Sequence, residues 1–294
     1  MEMMDGINNN NNYDKQPIHI LITAGGTSEK IDDVRRITNS GTGRLGALTA
    51  EAFAASGQPV RITYLCSASA VRPRIASTRV MGQALDPDGV SLNVVHADDV
   101  SELQEAVARL GTERSFDIIV HSMAVGDYRV RAVSDAEQVA GEAVKRLSYL
   151  TCGDSSSPEE AIAGALLEPP LIRESKISSD KENLVVVLEK SPKIIGMLRG
   201  LAPKAVIVGF KLLSEVDEEE LLRVGLGLLQ KNDCDFVLAN DMRTVRSNRQ
   251  EGLLISADGS FERGYGKSGI ADLIVMRTIA ALSFSRRMTV NGAE

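Results

Sequence analysis

Short continuous apolar runs alternate along this chain with helix-spaced apolar stripes, the pattern of strands buried on both faces and covered by helices. Residues 1–16 are polar, with Asn8 to Asn12 in an unbroken row, and hold too few apolar side chains to offset the entropy of ordering them. They read as a disordered tail. From Ile18 the run I-H-I-L-I-T leads into Gly25-Gly26, as a buried strand entering a turn does. After a polar loop, residues 44–56 place Leu45, Leu48, Ala52 and Ala55 on one helical stripe, and Gly57 stops it. A strand over 60–65, a helix near 100–110 and an apolar strand over 116–121 follow.

Between residues 131 and 176 the periodicity gives way to Ser, Gly, Glu and Pro, so an irregular insertion or flap is expected there. The alternation resumes with a strand at 184–188, a helix at 192–199, a strand at 205–210, a helix at 218–229 and a strand at 235–239. A short strand at 253–256 and an amphipathic helix at about 269–282 close the pattern. The expected fold class is α/β: a Rossmann-like, doubly wound, mostly parallel sheet in a single domain over 17–294, continuous across the insertion.

Composition narrows the function. Hydrophobic residues at 43 % supply a core, while a net charge of −7 gives no overall field for nucleic acid or anionic lipid, so any anion site must be local. Cys66, Cys152 and Cys234 lack CxxC spacing and suggest neither a disulfide framework nor a zinc site. A reducing, cytoplasmic setting is expected. No basic-then-apolar leader and no stretch of about 18 apolar residues is visible, so neither signal peptide nor membrane span is expected. The absence of Trp weighs against a stacking surface for single-stranded nucleic acid.

Six stretches could carry chemistry. T-A-G-G-T, with Gly25 and Gly26, lets backbone N–H groups approach an anion, although a tight turn explains two glycines equally. N-S-G-T-G-R-L-G brings Gly43, Arg44 and Gly46 to a helix N-terminus, where amides, dipole and guanidinium can converge on phosphate. Read alone it satisfies a dinucleotide fingerprint, but it follows a long loop and not a strand. H-S-M-A-V-G-D-Y puts Asp127 beyond a strand's carboxyl end, where open α/β sheets bind ligands. In K-I-S-S, Lys176 can swing onto a polyphosphate; in L-E-K-S-P-K-I, Lys190, Ser191 and Pro192 form a strand-to-helix junction that capping alone would explain. In V-G-F-K, Phe210 can lie against a base or simply fill core.

The order of these stretches, from T-A-G-G-T-S-E-x-I-D-x-V-R-x-I-T-N to K-N-x-x-D-x-x-x-A-N-D, resembles phosphopantothenoylcysteine synthetase over about 18–282, closest to the free-standing bacterial form. The resemblance implies joining 4'-phosphopantothenate to L-cysteine. CTP, or ATP in the eukaryotic members, would activate the carboxylate as an acyl nucleotidylate with Mg2+, and cysteine's amine would then displace the nucleotide. It implies that Asn39 holds the acyl intermediate and that Lys176 assists nucleotidylate formation. Asp127, Phe210 and the 189–192 backbone would lie toward the nucleotide base, Lys231 would bind phosphate, and Gly25, Gly26, Gly43 and Gly46 would form two anion loops. It implies a homodimer through the 131–176 region. Gly227 stands where many members have a second lysine, leaving Arg223 as a substitute, and Gly126 and Ser40-Gly41 also depart from the usual pattern. An NAD(P)-dependent reductase and a noncatalytic nucleotide-binding module are the alternatives. The reductase needs an acidic ribose-binding residue after the second strand, where this chain reads Y-L-C-S-A.

Overall fold

The run beginning at Ile18 forms β1 (Ile18–Ala24), a strand buried along its whole length except at His19. Such a strand must have partners on both edges and cover on both faces. The computed structural model, which describes residues 16–75, 89–150, 157–172, 174–246 and 250–291, supplies all four. Parallel neighbours β4 (Val60–Cys66) and β6 (Ile118–His121) flank β1. Outward from these lie β5 (Val90–His96) on one side and β9 (Val206–Leu213) and β10 (Phe236–Asp241) on the other, all parallel. Two antiparallel strands, β11 (Glu251–Ser256) and β12 (Phe261–Tyr265), complete the eight-stranded order β12-β11-β10-β9-β6-β1-β4-β5. Its six parallel strands follow the 3-2-1-4-5-6 order of a dinucleotide fold, so the expected doubly wound, mostly parallel architecture is present.

Side-chain alternation along the strands divides the core in two. Ile20, Ile22, Val120 and Val208 face α1 (Arg44–Ala54) and α8 (Gly266–Asn291). Leu21, Ile119, Ile207 and Val237 face α2 (Val100–Glu113), α5 (Ile195–Leu201) and α6 (Glu218–Asn232). Each fully buried Ile or Leu contributes roughly 1.5–3 kcal/mol. Among the described residues one helical segment, Gly266–Arg287, is long and apolar enough to cross a membrane. Asp272 and Arg277 interrupt it, and its buried residues Ile270, Ala271, Ile274, Val275, Thr278 and Leu282 form one face against the core.

Three expectations need correction. Residues 184–188 do not rejoin the central sheet: β8 (Leu184–Lys190) pairs antiparallel with β7 (Tyr128–Asp135) in a separate two-stranded ribbon. The reason is visible in its burial, since no residue of β8 is fully buried whereas all four of β6 are. The stretch 131–176 is mostly regular, containing β7, α3 (Ala136–Leu150) and α4 (Pro158–Leu167). Ser157 and Glu160 close a capping box on α4 with Pro158 in its first turn, a start signal overlooked among the surrounding serines. The polar loop after β1 holds a hairpin of two three-residue strands, β2 (Ser28–Lys30) and β3 (Arg36–Thr38). Sequence periodicity also passed over β5, β12 and the five-residue α7 (Met242–Arg246). The Asn-rich tail through residue 15 and Cys152 lie outside the described residues.

Candidate active site

The strands β1 and β6 are adjacent, parallel and followed by connections that depart to opposite sides, which makes the space beyond their carboxyl ends the natural ligand crevice. Leaving β1, the chain turns at Gly25, whose φ of +98° is a left-handed conformation. A Cβ there would sit 2.3 Å from Ser67 Oγ, and one on Gly26 would sit 2.2 Å from the Asn39 carbonyl oxygen. One on Gly41 would come within 2.7 Å of the Gly25 carbonyl oxygen. The two glycine stretches, 15 residues apart, are therefore one interlocked structure with no room for side chains. The β2–β3 hairpin explains how: it closes on itself through the Asn39 amide donating to Thr27 O at 3.0 Å, and so returns the chain to the end of β1.

Helix α1 then starts where a dinucleotide fold places its phosphate-binding helix. Gly43 is its left-handed N-cap, φ +70°, and no side chain caps the helix. The first-turn amides and the macrodipole are thus directed to the end of β1, with Arg44 as the first helical residue, an arrangement suited to an anion. Gly46 serves packing: a Cβ would lie 2.7 Å from both Ala24 Cβ and Ser122 Oγ.

The chain after β6 fastens to the same loops. Ala124 donates its amide to Gly25 O at 2.8 Å, and its carbonyl accepts from the Thr27 amide at 3.1 Å and from Asn39 Nδ2 at 3.2 Å. Half-buried Asn39 therefore sits at the junction of both glycine stretches and the β6 loop. Beyond it, Gly126 donates to Thr27 Oγ1 at 2.8 Å and Asp127 accepts, through its carbonyl, from the Ser191 amide at 2.9 Å. Lys193 pairs with the Asp127 carboxylate. Asp127, Lys190, Ser191 and Pro192 are thereby gathered into a second lobe, in which Ser191 Oγ is buried without a hydrogen-bond partner among the described residues.

Other expected site residues are placed differently. Gly209 faces α5, since a Cβ would meet Ile195 Cδ1 at 2.8 Å, while the adjacent Phe210 points to the opposite face and packs on the α8 side of the core. The pair therefore does not present one surface to a ligand. Lys231 is exposed in the last turn of α6, and its neighbour Asn232 approaches Gly196 at the start of α5. This end of α6 leads into the start of β10 and so lies toward the amino ends of the strands, away from the glycine loops. Lys176 is exposed, with no ion-pair partner among the described residues, and its neighbours are fastened to the β2–β3 turn, Ser175 O accepting from the Asp33 amide at 2.9 Å.

Two buried polar residues stand beside these loops, of which sequence reasoning missed Asp32 and read His121 as a satisfied strand-end residue. Asp32 accepts four hydrogen bonds, and those from backbone amides, above all Arg35's, hold its carboxyl below the usual range against the opposing effect of burial. Its signal was available: Asp at the head of a short turn accepts from the amides that follow. His121 ends β6 and hydrogen-bonds Thr23 Oγ1 through Nδ1 at 2.8 Å; burial pushes its imidazole down to about 4, so it is neutral near pH 7.

A 3-2-1-4-5-6 sheet carrying interlocked glycine loops at its switch point and a helix N-terminus without a side-chain cap defines a doubly wound α/β protein. Residues 16–145 and 161–282 match the model of the DNA/pantothenate metabolism flavoprotein C-terminal domain, and the chain belongs to that family. It is similar to the coenzyme A biosynthesis bifunctional protein CoaBC of Thermococcus kodakarensis, 26 % identical over 239 residues, covering 81 % of this chain and 45 % of the relative. It is also similar to the phosphopantothenate–cysteine ligase of Mus musculus, 25 % identical over 234 residues, covering 78 % of this chain and 73 % of that one. The chain thus spans about half the length of the bifunctional relatives it matches. Among solved structures, the DNA/pantothenate metabolism flavoprotein of Streptococcus pneumoniae superposes with a TM-score of 0.68 at 27 % identity, covering 90 % of this chain and 99 % of that one. A Cab2 mutant in complex with phosphopantothenate-cysteine shares the fold, with a TM-score of 0.60 at 18 % identity over 92 % of this chain and 88 % of that one.

Proposed function

We propose that this protein is a phosphopantothenate–cysteine ligase of coenzyme A biosynthesis. The observation that carries the reading is Asn39, held by Ala124 where the glycine loops, the α1 N-terminus and the Asp127 lobe meet. In the first step a carboxylate oxygen of 4'-phosphopantothenate attacks the α-phosphorus of CTP and pyrophosphate leaves. The α1 amides and Arg44 hold phosphate oxygens, and Lys176 reaches over to neutralise charge on the leaving group. In the second step the cysteine amine attacks the acyl carbon, the amide forms as the amine gives up a proton, and the nucleoside monophosphate departs. Asn39 orients the acyl group through the Nδ2 hydrogen that Ala124 leaves over. ATP in place of CTP is the alternative that the assay below distinguishes.

No group of three or more His, Cys, Asp or Glu side chains converges among the described residues, so any Mg2+ comes with the triphosphate and takes at most a carboxylate such as Asp127. Bound there, the ion would spread the charge of the departing pyrophosphate. We place the enzyme in the cytoplasm as a homodimer with one ligase domain over 17–294. Buried Cys66 and Cys234, whose thiols burial pushes up to about 11, stay protonated in such a setting. The reductase reading is disfavoured because β4 ends at Cys66 and continues into Ser67 and Ala68 without an acidic side chain.

The test is pyrophosphate release from purified protein given 4'-phosphopantothenate, Mg2+ and CTP or ATP, with and without cysteine. Sustained turnover only with cysteine is expected, with CTP preferred. Asn39→Asp should still release pyrophosphate but stall at amide formation, and Lys176→Gln should slow the release itself. Wild-type protein inactive with both nucleotides would overturn the reading.

A further inference from the structure

The β2–β3 turn is built around a buried carboxylate to which the ligand loops above give no role. The Asp32 side chain is wholly buried, with 0 % of its surface exposed. A buried carboxylate is costly unless fully engaged, and this one is. Its Oδ1 accepts from the amides of Val34 at 2.8 Å and Arg35 at 2.6 Å, closing the turn. Its Oδ2 reaches across the chain to the Ile177 amide at 3.2 Å and takes the Arg35 guanidinium at 3.3 Å. Arg35 in turn donates to Ile177 O at 3.3 Å, and the Asp33 amide donates to Ser175 O at 2.9 Å. Lys176 is therefore held on both sides, at Ser175 by the Asp33 amide and at Ile177 by the Asp32 and Arg35 side chains, while its own side chain stays exposed, and the hairpin that holds it leads into Asn39.

The geometry points to Asp32 as a positioning residue that couples the two halves of the reaction, fastening the Lys176 loop to the hairpin that leads into Asn39. It does not touch substrate; it acts through Lys176. The inference rests on the ligase reading, in which Lys176 serves nucleotidylate formation.

Asp32→Asn separates the two duties of this carboxylate. The amide oxygen can still close the turn, while its NH2 meets the Ile177 amide and the Arg35 guanidinium donor to donor. Asp32→Ser, whose hydroxyl keeps the turn without reaching Ile177, is the second variant should the first fold poorly. Single-turnover pyrophosphate release without cysteine is measured for wild type, Asp32→Asn, Lys176→Gln and the double variant, alongside amide hydrogen exchange at Ile177. We expect Asp32→Asn to slow release about 30-fold at unchanged nucleotide KM, with the double variant within about twofold of Lys176→Gln alone. Exchange at Ile177 should accelerate about tenfold or more while β1 stays protected. Wild-type release rates in Asp32→Asn, additive losses in the double variant, or unchanged Ile177 exchange would each overturn the coupling. An inactive wild type would instead sink the ligase reading before any variant is compared.

Discussion

The central sheet with its loops and the β7–β8 ribbon with α3 and α4 are built to opposite rules. In the first, packing closes on the glycines: Gly26 and Gly41 lie against backbone, Gly25 and Gly46 against the side chains of Ser67, Ala24 and Ser122, and none leaves space even for a methyl group. In the second, α3 buries only Val139 among its 15 residues, and Val144, Tyr149, Ile162 and Leu166 stand exposed. A two-stranded ribbon carrying two helices cannot cover that much apolar surface alone. The comparison teaches that the glycine loops are packed within one chain, whereas the ribbon with its helices leaves an apolar face that the proposed homodimer would cover.

The same substitution should have opposite signs in the two regions. Gly26→Ala drives a Cβ against the Asn39 carbonyl and should lower ligase turnover by about 1000-fold, or ~4 kcal/mol of barrier. Steady-state rates check it, and wild-type turnover would show that the loops are not interlocked.

Acid should attack the sheet first. Buried His121 has a folded pKa of about 4 against 6.5 when unfolded, so the unfolded state binds the extra proton between those values. Its contribution is present above about pH 6.5 and disappears as pH falls through about 4, a change on the order of 3 kcal/mol. Urea unfolding of His121→Gln across that range should show a correspondingly flatter pH dependence; an unaltered slope would contradict a neutral, buried imidazole.

The exposed helices should answer to association. Ile162→Glu with Leu166→Glu, one turn apart on α4, should weaken a homodimer about 100-fold, ~2.7 kcal/mol, by sedimentation. A wild type already monomeric at micromolar concentration would refute the assembly.

The smallest expected effect is a gain. Gly141 lies inside α3 with open space around its Cβ position, so Gly141→Ala should raise stability by about 0.5–1 kcal/mol in thermal or urea melts. A loss there would mean that a contact covers this face.

Much of this protein was legible in its residues taken one stretch at a time. Uninterrupted apolar runs in β1 and β6 announced strands buried on both faces, because a strand without a wet face needs no polar alternation. The helical spacing through Leu45 and Leu48 announced α1, although the face it buries is that of Ala47, Ala50 and Phe53, and the glycines beside it suggested an anion loop. What only the tertiary structure decided is which distant pieces meet. The run at 184–188 looked like a sheet strand, yet pairing placed it in a separate ribbon, since local pattern reports burial and not the identity of the neighbour. The fingerprint at Gly43 looked misplaced after a long loop until the hairpin closure at Asn39 returned it to the end of β1. The Asp32–Ile177 contact spans 145 residues, and no periodicity encodes such a bond. It exists because the folded sheet brings two loops together in a dry space, where an ionised carboxylate must be satisfied by whatever donors lie within reach.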